Sequence, residues 1–553
     1  MTIRRGFVRV GDRNVHYRTA GAGPVLVLLH DSPRSSSLHA PLLEAFSDRY
    51  EVIALDTPGY GESDPLPGKP SIADFAEALG DALEALGVGR AIFYGFHTSS
   101  KILLELAVSA PDRVALAVLD GLSIPVRAPD EAFIASYMRP FTLDGEGAWL
   151  AREWTRVLDT WRWFPWFHQA QSARMPIDQP SIAQMHAYAL DYFLAGPTYV
   201  SAYEAAMRHD PSRNLRRVKA PIVVMAREDD VLHAHLARIP ADRSTSIVAR
   251  SAPADTRRWL EILKTLFAQP TGEARSEGPP ARGGRFYVDT PAGQVHVRSF
   301  GADAGRPILY LHDLPGGAGG EGRWLEDLAA RRPVLAIDLP GCGCSDPVEH
   351  AAFEGHVAWL EDVLGALQLA PADIVADGAS CAFALGLAAQ RPDLVAALVA
   401  DGAPLVSPDL RARWLVETDA ALEPERSGAH WLRAWHLLRD REAQYPWWDG
   451  SAAAIRHREP DIRPERLRQS TLDMLRQPGT WSTALRAALD VDLNDIAPKV
   501  GSRVLFPSDP GDPRQAGGEI LASRTPRGTL APRAASTEAR AAQYSDFLAA
   551  EDL

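Results

Sequence analysis

Cysteine is scarce in this chain of 553 residues: Cys342, Cys344 and Cys381 are all there are. Three thiols at this spacing make neither a disulfide framework nor a zinc site, and they fit a reducing cytoplasm. Long apolar runs are missing too. The hydrophobic stretches are strand-length and stop well short of a membrane span. No apolar core follows Arg4 and Arg5, so no secretory signal is expected. Excess positive charge is absent as well. The formal net charge is -13, which argues against a nucleic-acid backbone or an anionic membrane as partner. Gly59 and Gly61 sit in a turn without the spacing of a nucleotide fingerprint, and neither metal nor cofactor is expected. The rest is ordinary for a globular protein, with 46% hydrophobic and 23% charged residues. The length exceeds one hydrophobic core and predicts two domains or more.

The chain repeats itself. His30-Asp31-Ser32-Pro33 pairs with His312-Asp313-Leu314-Pro315. Asp56-Thr57-Pro58-Gly59-Tyr60-Gly61-Glu62-Ser63-Asp64 pairs with Asp338-Leu339-Pro340-Gly341-Cys342-Gly343-Cys344-Ser345-Asp346. Pro111-Asp112 pairs with Pro392-Asp393, Asp120-Gly121 with Asp401-Gly402, and Trp154 with Trp435. The offset is always 281 or 282 residues, as from Pro111 to Pro392 or His30 to His312. A register this constant means duplication of a whole domain. We place a first domain at 1–268, a Pro/Gly/polar linker with nothing to bury at 269–284, and a second domain at 285–553. The two repeats are expected to pack on each other, reusing existing surfaces.

Each copy opens with a polar-alternating hairpin (Phe7 to Arg18; Phe286 to Arg298). Strand-like runs then alternate with helical ones: Val25–Leu29, Val52–Leu55, the helical Ile72–Leu86, Ala91–Tyr94 and Val114–Leu119. Such alternation predicts an α/β fold, a mostly parallel sheet with helices on both faces. A mostly helical stretch of about a hundred residues follows, at about 124–218 in the first copy and 404–498 in the second, before a strand at Pro221–Ala226 resumes the sheet.

The H-D-x-P loop, the D-x-P-G-x-G-x-S-D loop, the strand–turn–helix at Gly95-Phe96-His97-Thr98-Ser99, the P-D-x-V after it and Glu228-Asp229-Asp230 together resemble the α/β-hydrolase superfamily with an inserted helical cap, written twice in tandem. The resemblance implies a nucleophile elbow at the strand–helix turn, with a Ser, an acid and a His converging in that chain order. By this alignment His97 stands at the first nucleophile position and Gly378 at the second. The acid is kept as Asp230 and Asp512. No histidine follows the last strand of the first copy at Ser246–Ala249, and none occurs from Pro513 to Leu553. Both copies thus read as degenerate triads.

Two readings of His97 stand. A helix N-terminus would keep its ring neutral, and the ring is long enough to approach Asp230 and form a dyad that activates water. Alternatively it is a pocket-lining polar group at a drifted position. Asp31 and Ser32 lie where the family lends a backbone N–H to the oxyanion, together with Thr98 and Ser99 at the elbow. Asp31 either faces His97 or hydrogen-bonds its own loop. Ser99, Ser100 and Ser380 read as small residues in a crowded turn, and Cys381 as a small buried hydrophobe. His233 and His235 read as a solvated helix start, with His233 the alternative candidate for the missing base. Asp313, Gly378 and Asp512 form the degenerate second site. Cap tryptophans (Trp149, Trp154, Trp161, Trp163, Trp166; Trp431, Trp435, Trp447, Trp448) either line an apolar pocket or hold cap to core. The functional expectation is a cytoplasmic hydrolase or lyase-type enzyme for a small apolar or aromatic molecule, with His97 and Asp230 catalytic and the second domain inactive. The alternative is a pseudohydrolase that holds a ligand or a protein partner.

Overall fold

The computed structural model describes residues 2–127, 130–268, 272–276, 284–301, 305–419 and 422–550. Eight strands form the first sheet: β1 (Arg4–Val10), β2 (Arg13–Ala20), β3 (Val25–Leu29), β4 (Glu51–Leu55), β5 (Ala91–Phe96), β6 (Val114–Asp120), β7 (Ile222–Arg227) and β8 (Ile247–Ala252). Their order is β1-β2-β4-β3-β5-β6-β7-β8. Only β2 runs against its neighbours, pairing antiparallel with β1 and β4. Strands β3 and β6 are buried along their whole length, as the continuous Val/Leu/Ala runs require of a parallel sheet covered on both faces. Leu42, Phe46, Leu263 and Phe267 cover Leu26, Leu28, Ile92 and Val118 on one side.

The second sheet repeats the plan with β9 (Arg285–Thr290), β10 (Gly293–Phe300), β11 (Ile308–Leu311), β12 (Val334–Ile337), β13 (Ala372–Asp377), β14 (Val395–Asp401), β15 (Arg503–Ser508) and β16 (Gly528–Pro532). Its order, β9-β10-β12-β11-β13-β14-β15-β16, matches the first strand for strand. The duplication is thus one of complete folds. Helices from Glu131 to Arg217 sit between β6 and β7, and helices from Pro408 to Ile496 between β14 and β15. No helix among the described residues is long and apolar enough to cross a membrane.

Several boundaries differ from the sequence reading. β5 runs on to Phe96, and β8 takes in Arg250–Ala252, so the loop after the last strand begins at Pro253. The compact units are Met1–Thr142 with Trp154–Gly283, and Leu143–Glu153 with Gly284–Leu553. Leu143–Glu153, placed in the first domain by sequence, falls in the second unit, within which the Trp149 ring meets Trp435 edge-on at 5.8 Å. Of the linker 269–284, residues 269–271 and 277–283 lie outside the described residues. The part in between is no free connector. Glu273 accepts the Val25 N–H at 2.9 Å and donates to Arg90 O at 2.7 Å, and Ser276 N–H reaches Gly87 O.

The D-x-P-G-x-G-x-S-D loop is a scaffold in both copies. Buried Asp56 accepts the N–H groups of Ser36 and Glu62 and the Nδ1–H of His16. Burial lowers the His16 pKa, so its ring is a neutral donor. Asp338 does the same for Ala318, Cys344 and His296. Gly61 is required, since a Cβ there would lie 2.1 Å from Asp56 Oδ2. Asp56→Ala removes the carboxylate that three donors share and is expected to destabilise the first domain by about 3–5 kcal/mol, read as an earlier midpoint in urea unfolding. His296, Asp338 and Cys344 also bring three ligand-type atoms within 4.8 Å. The 2.8 Å His296–Asp338 hydrogen bond already occupies two of them, so this is a structural cluster.

Candidate active site

Ligand-binding crevices in open α/β sheets lie at the carboxyl ends of the strands, and here the ends of β3, β5, β6 and β7 converge. The turn after β5 places His97 at φ 49°, ψ -107°, followed at once by the helix Thr98–Ser109. This is the strained strand-to-helix turn expected of an elbow. His97 N–H is tied to Asp120 O at 2.9 Å. Its Nε2 meets Asp230 Oδ2, from the loop after β7, at 2.7 Å, and 28% of the side chain remains exposed. The other Asp230 oxygen accepts the Leu232 N–H. Gly121 makes room for the ring: a Cβ there would lie 2.3 Å from His97 Cδ2.

The electrostatics reverse one expectation. Burial lowers the His97 pKa, but the hydrogen bond and charge of Asp230, with Asp31 and Asp120 behind it, raise it above 6.5. Three carboxylates outweigh the positive end of one helix. Burial likewise pushes Asp230 up, and its bonds to His97 and Leu232 hold it below the ordinary value. Asp120 is pushed up to about 6 by burial against hydrogen bonds from Trp259 and Tyr94. Burial raises Asp31 too, against the charges of Arg34 and His97, and its Oδ1 has no hydrogen-bond partner. Ser32 and Thr98 are buried, and among the described residues no protein acceptor takes either backbone N–H.

The remaining candidates have structural partners. Ser99 Oγ bonds His30 O, and Ser100 Oγ bonds Gly95 O and Asp120 O. His233 Nε2 meets Ser251 Oγ at 2.8 Å, and His235 Nδ1 accepts the Ile124 N–H, so each is engaged away from His97. Trp154, Trp431 and Trp435 are fully buried packing residues. Trp166 does line a cavity of about 10 Å³ in the first domain, but the wall around it is mostly tyrosine, Tyr137, Tyr188, Tyr192, Tyr199 and Tyr203, with Arg156.

The second elbow differs in kind. Gly378 has φ 59°, and a Cβ there would lie 1.8 Å from Asp313 Oδ1. That oxygen accepts both the Leu314 N–H (2.8 Å) and the Ala379 N–H (2.9 Å). Asp512 is gripped by Arg514 and Arg456 and held far below the ordinary carboxylate range. Arg514 stands against Gly402 where His97 stands against Gly121. Cys381 is buried, with its thiol raised well above its ordinary pKa by burial. The arginines escaped the sequence reading; the one available signal was Arg514 two residues past the expected acid.

The family described as alpha/beta hydrolase fold matches residues 24–260 and 306–476. Over 124 residues the chain is 34% identical to an (E)-2-((N-methylformamido)methylene)succinate hydrolase of Acinetobacter baylyi, covering 22% of this chain and 47% of that one. Over 138 residues it is 28% identical to a 2-(acetamidomethylene)succinate hydrolase of Mesorhizobium japonicum, covering 23% and 50%. The chain thus spans about half the length of these curated relatives. The crystal structure of epoxide hydrolase A from Mycobacterium thermoresistibile aligns at 19% identity with a TM-score of 0.40, covering 49% of this chain and 100% of that one.

Proposed function

We propose, starting from the fact that the chain belongs to the alpha/beta hydrolase fold family, that its first domain is a hydrolase working without a serine nucleophile and that its second domain has lost hydrolysis. The observation that carries this is the 2.7 Å contact between His97 and Asp230 at a partly open elbow. With Nε2–H donated to Asp230, Nδ1 is left to take a proton from water. The water oxygen then attacks an acyl carbon directly, and the N–H groups of Ser32 and Thr98 receive the developing oxyanion. The imidazolium formed at His97 then gives its proton to the leaving group. Three carboxylates around one imidazole repel anions, so the substrate class is a small uncharged ester or amide with an apolar or aromatic body.

The second domain lacks these parts. Gly378 has no side chain to react, and Asp313 already fills the two N–H groups that would hold an oxyanion. A second reading, in which the first domain holds a ligand without turnover, draws support from the small size of its tyrosine-lined cavity.

The pH profile separates the two. His97 must lose its proton to act as base, so kcat/KM for a chromogenic ester rises with pH along a limb whose midpoint lies above 6.5. Asp230→Asn removes the carboxylate that raises this value and moves the midpoint down. A flat profile through neutrality, or a limb unmoved by Asp230→Asn, speaks for the ligand-holding reading. The same pair affects stability. The Asp230 share is present above 3.8 and is lost as pH falls through its depressed value. The His97 share is complete below 6.5 and is lost as pH rises through its raised value.

A further inference from the structure

The second domain encloses a cavity of about 390 Å³ that opens over Gly378 and Asp313 and is walled by nine arginines. Seven acidic residues line it too, fewer than the arginines and unevenly placed among them. Arg456 and Arg514 share the single carboxylate of Asp512. Arg458 leans on Glu442 at 3.4 Å, a carboxylate that also serves Arg466 at 3.0 Å; Arg466 has Glu321 at 3.0 Å besides. Buried Arg441 meets no carboxylate within 4.0 Å among the described residues; its guanidinium donates to Pro315 O. Arg456 is 6% exposed and its Nε has no partner. Burial and the neighbouring Arg514 press the Arg456 pKa down to about 10, and burial lowers Arg458 as well. Of the lining acids, Asp377 is pushed up to about 7 by burial and by Asp401, so part of its charge is missing at neutral pH.

Taking a guanidinium out of water without a counter-ion costs several kcal/mol, and guanidinium forks match the oxygen pairs of carboxylate and phosphate. A void of this size suits a small molecule rather than a chain segment. We propose that this cavity binds a compact organic anion of two or more negative charges, bearing carboxylate or phosphate groups. The lost oxyanion hole fits this: with Asp313 tied to backbone N–H groups and Arg514 in place of an imidazole, the site is built to hold charge rather than to break a bond. The proposal is independent of hydrolysis in the first domain.

The test is calorimetric titration of the intact chain with glutarate, citrate and inorganic phosphate, with acetate as the singly charged control. The expected result is one site per chain that takes a multiply charged probe and takes acetate far more weakly. Preference for citrate or glutarate assigns carboxylate recognition, and preference for phosphate assigns phosphoryl recognition. Arg441→Gln is expected to weaken binding about tenfold or more while raising the Tm of the ligand-free protein, because it removes a buried charge that lacks a carboxylate. His97→Ala leaves the titration unchanged. The proposal is overturned if no multiply charged probe binds, if acetate binds equally well, or if Arg441→Gln either binds like the parent or melts earlier without ligand.

Discussion

His97→Ala is expected to lower kcat/KM for uncharged chromogenic esters by about 10²–10⁴-fold, or about 3–5 kcal/mol of transition-state stabilisation. The ring is the one titratable group at the elbow with exposed surface and a bonded carboxylate. Its removal takes away the base, and Asp230 cannot substitute. Asp230 lies behind the ring, and once it loses the hydrogen bond that keeps its pKa low, burial pushes the carboxyl toward its neutral form. His97→Gln supplies a control for shape, since an amide can hold the 2.7 Å contact without accepting a proton; it is expected to be as inactive as the alanine variant. Equal rates for parent and both variants would remove the hydrolytic reading altogether. A serine-directed fluorophosphonate is expected to leave the protein unlabelled, because Ser99 and Ser100 are buried and bonded to main-chain carbonyls. Stoichiometric labelling would place the nucleophile elsewhere.

Restoring the family's serine at the second elbow should fail in an instructive way. Gly378→Ser puts a Cβ 1.8 Å from Asp313 Oδ1 at a φ of 59°. Overpacking and left-handed strain together are expected to cost about 3 kcal/mol. Asp313→Gly alone leaves the Leu314 and Ala379 N–H groups without their acceptor and costs about 1–3 kcal/mol. The double variant is expected to be more stable than Gly378→Ser by about 2 kcal/mol, since the serine then occupies the space the carboxylate leaves. Two domains need not unfold in one step, so the comparison belongs to the transition that these variants move. If the double variant melts with Gly378→Ser, the clash with Asp313 is not what excludes a side chain at 378.

The fold was legible because its signals are local. β3 and β6 are unbroken apolar runs, the Asp56 and Asp338 loops carry the same residues for the same hydrogen bonds, and the constant offset ties the copies together. The placement of His97 and its approach to Asp230 were legible too, since both follow from the ends of adjacent strands. The upward shift of the His97 pKa was not: burial opposes it, and beside Asp230 it draws on Asp31 and Asp120, brought in from two other strand ends, whereas a helix N-terminus considered alone points the other way. Asp31 and Asp313 show the same limit. They share a motif, yet one oxygen of Asp313 takes two backbone N–H groups while Oδ1 of Asp31 takes none. The difference lies in what stands at 97 and 378, far along the chain. The tryptophans left two roles open because a large ring fills a core as readily as it lines a void: Trp154, Trp431 and Trp435 pack, while Trp166 lines a cavity. The arginine-walled cavity was illegible because Arg441, Arg456 and Arg514 resemble surface charges until the cap folds over the sheet.

The strip at 272–276 has a practical corollary. It was read as belonging to neither repeat, yet it laces across the lower ends of β3 and of the turn before β5, with Pro24 bridged to Ala274 and Arg275 paired to Glu51. A recombinant fragment stopped at 268 would strip the acceptor from the buried Val25 amide and bare the start of a central strand. Anyone wishing to produce the leading half by itself should therefore carry the polypeptide past Ser276, and can expect the shorter version to precipitate or be clipped by proteases sooner than the longer one.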